Sequence, residues 1–336
     1  LYMLYRSLLA LSWLCVSTSQ DQPLRHHPCV SNSFTPRISA DYHLPHTLLQ
    51  LGIKVFGSRA ELTRILTHTH APTNASANGV RIRLVQAPGD NSLQRCAWYG
   101  HTQPCALVEY RVYGNYLSPS NKYAAGSIVV DIGANLGDMA AIIARTSSGV
   151  QVLAVEPSPH TFFFLFWNLW LNGVRLLTPS QFGSSEAGGG VLAMNAAVSE
   201  RSGNVTVRWS DTASQNAVAD QEEYAMSATS ATVPSNWHWA SVPTFNLPDF
   251  LARHNIKEVH LMKIDCEGCE FRVIPAWADF FRDKLRLLRL TGEFHWRALD
   301  RTRGRFQEKP TDMQVNMVDE VLTARGCKTR IYLTSC

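Results

Sequence analysis

Charge is scarce in this 336-residue chain: only 17% of its residues are charged, below the usual quarter. Its 31 basic side chains outnumber the 27 acidic ones by four. A surplus this small is no nucleic-acid footprint, so composition makes no case for a DNA or RNA partner. No apolar run reaches the roughly 18 residues that a membrane-spanning helix needs, which excludes a multi-span membrane protein. The three-glycine G-x-G-x-x-G signature of a dinucleotide site is missing. So is a second C-x-x-C or a nearby His pair that would complete a zinc knuckle around Cys266 and Cys269. What the chain has in quantity is apolar residues, 45% of the total, enough to bury a substantial core and to exclude a wholly disordered polymer.

The first twenty residues carry Arg6, an apolar run from Leu8 to Val16 and a small-residue tail. This is the pattern of a secretory signal peptide or signal anchor, and it predicts the secretory pathway or membrane association through this segment rather than the cytoplasm. In an oxidising compartment Cys96 and Cys105 could pair across a turn. Cys266 and Cys269 read more simply as two small residues in a tight turn. Residues 21–122 read as a linker followed by a helix-and-hairpin extension. Leu44–Thr67 has helical spacing broken near Gly57 and Ser58, while Val80–Val85 and Leu107–Val112 alternate like half-buried strands.

From residue 123 to 336 the character changes. Short, wholly apolar runs (Ser127–Val130, Val152–Val155, Leu261–Ile264, Leu287–Leu290) alternate with helical stretches at Asp138–Arg145, Pro159–Leu171, Leu247–His254 and Phe271–Arg282. Buried strands alternating with helices predict an α/β domain, a mostly parallel sheet with helices on both faces. The helix TFFFLFWNLWL is apolar all round, which predicts burial between the sheet and the N-terminal segment. That segment is expected over the mouth of the site. Pro234–Pro243 reads as loop, within a polar insertion from Ser210 to Ser241.

Four strands end in or beside a carboxylate: Asp131, Glu156, Asp265 and Glu293. Ligands of open parallel sheets bind outside the carboxyl ends of the strands, so these acids outline one crevice. In VVDIGANLGD, Gly133 permits a left-handed turn and Gly137 close helix packing. Asp131 before the turn suits a cationic ligand group and repels a pyrophosphate. The motif therefore favours an amino-acid-like ligand, such as the methionine part of S-adenosylmethionine, over a dinucleotide. Glu156 follows Gly133 by 23 residues, close to the spacing of a ribose-binding acid. In LMKIDCEGCEF, strand alternation sets Lys263 and Asp265 on one face. A lysine in a central strand needs a partner, for which Asp131, Glu156 and Glu293 are candidates. Glu293 and His295 stand two apart at the last strand end, where a neutral His could accept a hydroxyl proton.

Taken in order, VVDIGANLG, VLAVEPSPHTFFFLFWNLWLN, NAAVS, LMKIDCEGCEF and GEFH resemble the FkbM-type family of S-adenosylmethionine-dependent methyltransferases, over about residues 120–297. The resemblance implies a class I methyltransferase, a Rossmann-like sheet with strand order 3-2-1-4-5-7-6. It also implies O-methylation of a hydroxyl on a small molecule or sugar, with S-adenosylmethionine as cofactor. Carried over by position, Asp131, Gly133, Asn135 and Gly137 match the loop that holds the methionine moiety, and Glu156 the ribose acid. Asn195 and Ala196 match the adenine edge, and Asp265 and Glu267 the acids near the transferring methyl. The expected general base is Asp265 or His295, with Glu267 or Glu293 positioning the hydroxyl. A divalent metal on Asp265, Glu267 and His295 is the competing arrangement, disfavoured because carboxylate-rich mouths are common without metal. The competing functions are a catalytically inactive binding protein on the same fold and a nicotinamide-dependent oxidoreductase. The acceptor and the oligomeric state are not written in these motifs.

Overall fold

The chain was analysed as a computed structural model, which describes residues 44–69, 72–77, 80–88, 123–210, 217–219, 237–266, 268–293, 312–330 and 333–335. The signal segment, Cys96 and Cys105, strand candidate Leu107–Val112, Glu267 and His295 lie outside the described residues. All described residues belong to one compact unit, Pro36–Cys336.

The extension comes first: helices α1 (His46–Phe56) and α2 (Arg59–His68), then strands β1 (Thr73–Ala77) and β2 (Val80–Leu84). Gly57 ends α1 in the left-handed conformation, and the Ser58 hydroxyl caps α2 by accepting from the Glu61 amide. β2 pairs with β1 as an antiparallel hairpin.

The sheet begins with β3 (Ile128–Ile132), helix α3 (Asp138–Thr146), β4 (Gln151–Val155), α4 (Pro159–Leu171) and β5 (Gly190–Met194). There follow β6 (Ala197–Val198), β7 (Gly203–Ser210), β8 (Ala217–Ala219) and β9 (Trp237–Phe245). The chain continues through α5 (Leu247–Arg253), β10 (Leu261–Ile264), α6 (Glu270–Ala276), α7 (Ala278–Arg282) and β11 (Leu290–Glu293). It closes with α8 (Asp312–Arg325), β12 (Lys328–Arg330) and β13 (Leu333–Ser335).

Seven strands lie in the order β12-β13-β11-β10-β3-β4-β5. The five from β11 to β5 are parallel, and β13 runs antiparallel to β11. Counted along this domain, that is the order 3-2-1-4-5-7-6. Every residue of β3 and β4 is buried, as expected where helices cover both faces. Alternate residues feed two cores. Val129, Val152, Ala154 and Leu261 join the core with α3 and α4. Val130, Ile132, Leu153, Met262 and Ile264 join the core with α5, α6, α7 and α8.

α4 starts at Pro159 under a Ser158 cap and is followed by Gly173 in the left-handed region. Phe163, Phe164, Leu165, Trp167 and Leu169 on it are wholly buried, each contributing about 1.5–3 kcal/mol. The extension packs on the outer side of this helix. Gly52 of α1 closes on both Leu62 and Phe163. The Asn168 side chain bonds the backbone of Val85 in both directions, and Asn172 does the same for Arg83. At the end of α1, Phe56 meets the His160 ring of α4 at 5.4 Å. The described part of the extension braces α4, because two amides in that apolar helix capture β2; the rest of residues 21–122, on which the expected cover of the mouth also depends, lies outside the described residues.

The segment expected to be loop at Pro234–Pro243 is largely strand. β9 pairs with β7 over eight residues, from Trp237 opposite Ser210 to Thr244 opposite Gly203. With β6 and β8 it makes a separate four-stranded sheet. The helix expected over Phe271–Arg282 is two helices, α6 and α7, with Pro275 at the end of the first.

Candidate active site

The carboxyl ends of β3, β4 and β10 meet at one mouth. Lys263 stands in register beside Asp131 across the β10–β3 pair. Its ammonium lies 3.4 Å from Asp131 Oδ1 and 3.5 Å from Asp265 Oδ2, and it donates to the Gly133 carbonyl at 2.8 Å. One cation thus links two strands and the glycine loop. Asp131 was among the partners anticipated for Lys263. Asp265, two residues along the same strand face, is an additional one.

Asp131 is fully buried, and among the described residues its carboxylate oxygens have no hydrogen-bond partner beyond the Lys263 ammonium. Loss of water pushes its pKa up, and Lys263 only partly offsets this. Half-buried Asp138, the first residue of α3, is raised to about 6 by burial and then by Asp131. The sequence motif contained this acid, but it was read as a helix start. Glu156 is raised to about 8, mainly by burial. Its two oxygens accept from the amides of Asn135, at 3.0 Å, and Ser158, at 2.9 Å, tying the β3 loop to the β4 loop.

The β3 loop is held elsewhere too. The Gly133 and Ala134 amides both donate to the Val155 carbonyl at 3.0 Å. Gly133, Asn135 and Gly137 all have positive φ. The Asn195 side-chain amide donates to the carbonyls of Glu156 and Pro157, so it braces the Glu156 loop. Ala196 is buried beside it. Glu293 ends β11, adjacent to β10.

The mouth is therefore rich in carboxylates, with burial raising three of them, and Lys263 as their common cation. Such a site attracts ligand cations and disfavours phosphates. The buried Asp131 carboxylate fits a ligand cation such as the ammonium or sulfonium of S-adenosylmethionine.

Fold and site together define the class I methyltransferase type. A family model described as the methyltransferase FkbM domain matches residues 131–326, more than half of the chain. The chain belongs to this family, and its cofactor is S-adenosylmethionine. Methyltransferase 1 of Beauveria bassiana (strain ARSEF 2860) is 30% identical over 154 residues, which cover 46% of this chain and 59% of that protein. The chain thus spans less than two thirds of that relative. Among solved structures, Aeropyrum pernix fibrillarin with natively bound S-adenosyl-L-methionine aligns over 79% of this chain and 81% of its own, at 10% identity and a TM-score of 0.33. The N-terminal domain of human METTL16 in complex with SAH aligns over 67% and 65%, at 12% identity and a TM-score of 0.27.

The raised carboxylates make a pH prediction. An acid whose folded pKa exceeds its ordinary value binds more protons folded than unfolded, so stability falls as pH rises between the two values. For Glu156 that window runs from 4.5 to about 8, and for Asp138 from 3.8 to about 6. The cofactor-free protein is expected to lose roughly 2–3 kcal/mol between pH 5.5 and 8, read from urea midpoints. Saturating S-adenosylmethionine should flatten the slope, and so should Glu156→Gln. An unchanged slope in that variant would show that Glu156 is already ionised below pH 5.5.

Proposed function

We propose that this chain transfers a methyl group from S-adenosylmethionine to a hydroxyl oxygen of a small molecule or glycan, with Asp265 as general base. The observation that supports this is a difference in exposure. Asp131 and Glu156 are 0% and 4% exposed, whereas the Asp265 side chain is 28% exposed. Of these three acids, Asp265 is the one an acceptor can meet.

When bound, the cofactor supplies an electrophilic methyl on a sulfonium. The loop of Asp131, Gly133, Asn135 and Gly137 would hold its methionine part, Glu156 its ribose, and Asn195 and Ala196 its adenine edge. Asp265 takes the hydroxyl proton as the oxygen becomes nucleophilic, because a free alcohol is far too weak an acid to ionise alone. Lys263 fixes the position of that carboxylate. Holding the acceptor against the methyl contributes most of the rate, about 7–11 kcal/mol in well-oriented systems. The low net charge of +4 suits an uncharged hydroxylated acceptor better than a polyanion.

Asp265→Asn should lower turnover by roughly a hundredfold or more while leaving S-adenosylmethionine affinity within about threefold. Calorimetry gives the affinity, and transfer of labelled methyl to a fractionated cell extract gives the turnover. Retained transfer would remove Asp265 from the role. If the native chain binds the cofactor but labels nothing, the reading of an inactive binding protein on this fold takes over.

A further inference from the structure

The loop leaving β10 carries a second constellation, one residue beyond Asp265. Cys266 and Cys269 are joined by a disulfide with their Cα atoms 5.4 Å apart. The next residue, Glu270, is completely buried. Its Oε2 accepts from the Gly268 amide at 2.9 Å and lies 3.1 Å from the Cys266 sulfur. A disulfide sulfur has no proton to offer a carboxylate, so in this state the sulfur is a poor neighbour for Oε2. The ligand atoms of Cys266, Cys269 and Glu270 all fall within 4.8 Å of one another. The sequence alone offered neither a second C-x-x-C nor a nearby His pair to complete a site. The fold supplies a third ligand by burying Glu270 against the two cysteines.

Two thiolates and a carboxylate converging from one turn suit a tetrahedral, thiophilic divalent cation, with the fourth position left to water. We propose that, once the disulfide is reduced, Cys266, Cys269 and Glu270 form a site for a cation of the zinc type. Disulfide and cation are then alternative clasps on the loop that follows Asp265. The chemistry balances simply. A dithiol reductant gives two electrons and two protons to the S–S bond and leaves as its own disulfide. Cation binding then releases both thiol protons to solvent. An oxidising compartment keeps the disulfide, and a reducing one opens the site. The inference stands on this geometry and is independent of the methyl acceptor.

Cobalt(II) is the probe. The full chain, reduced with a phosphine under anaerobic conditions and freed of reductant, should take up about one equivalent more cobalt than Cys266→Ser/Cys269→Ser, with a thiolate-to-metal charge-transfer band. The oxidised chain should lack that band. Glu270→Gln should keep the band but bind at least about tenfold more weakly. Should the variants fail to fold, the native chain still decides the matter: zinc should protect Cys266 and Cys269 from alkylation, mapped by mass spectrometry. Equal alkylation with and without zinc, or a cobalt spectrum that the double variant shares, would overturn the proposal.

Discussion

Gly133→Ala is expected to destabilise the protein by roughly 2–5 kcal/mol and to weaken S-adenosylmethionine binding more than tenfold. Two costs add at this position. The backbone has φ +73°, a conformation that costs an L-residue about 1–2 kcal/mol. A Cβ built there would land on the carbonyl oxygen of Asp265 and 2.8 Å from its carbon. That obstacle is backbone of the adjoining strand end, so it cannot rotate away. Relief requires the β3 loop to separate from β10, which pulls the Gly133 carbonyl off Lys263 and disturbs the two amides bonded to Val155. Thermal unfolding should fall by on the order of 10 °C. Gly57→Ala is the control, since Gly57 has φ +77° but nothing within 4 Å of the added Cβ. It should show the conformational cost alone, about 1 kcal/mol, with cofactor affinity unchanged. Equal losses in the two variants would show that crowding between the strand ends is unimportant.

How much of this was visible beforehand depended on the range of the interaction. Strands buried on both faces announce themselves as short apolar runs, and α4 keeps the bounds its own sequence suggests, Pro159 to Leu171, because cap and stop are local signals. The parallel sheet was read from strands alternating with helices, whereas the strand order came from the family resemblance. β9 was hidden because its partner β7 ends at Ser210 and β9 resumes only at Trp237. Pro243 within it also reads locally as a breaker. The placement of the extension was hidden for a similar reason: Asn168 and Asn172 look like interruptions of an apolar helix until β2 is seen bonded to them. In the site, the carboxylates at the strand ends were legible as residues, but their burial was not. The difference between sequestered Asp131 and half-buried Asp265, on which their proposed roles rest, exists only once the helices are in place.

Lys263→Met tests whether the mouth is organised around one cation. Truncating one partner of a buried ion pair costs about 3–5 kcal/mol, because the other charge is left without compensation. Asp131 has no other hydrogen-bond partner among the described residues, so the full cost is expected above neutrality. The sign with pH follows. Without the ammonium, the Asp131 pKa rises further above its ordinary 3.8, so the carboxyl escapes its cost by taking a proton as pH falls. Urea unfolding should therefore show the largest loss near pH 8 and a smaller one near pH 5. In Asp131→Asn/Lys263→Met both members of this ion pair are gone, and much of the stability should return, giving a coupling energy of about 1–3 kcal/mol in the double-mutant cycle. Lys263→Arg keeps the charge but not the compact ammonium that reaches Asp131, Asp265 and the Gly133 carbonyl together. It should recover stability better than cofactor affinity. Additive single losses with no pH dependence would mean that Lys263 packs beside these acids without holding them.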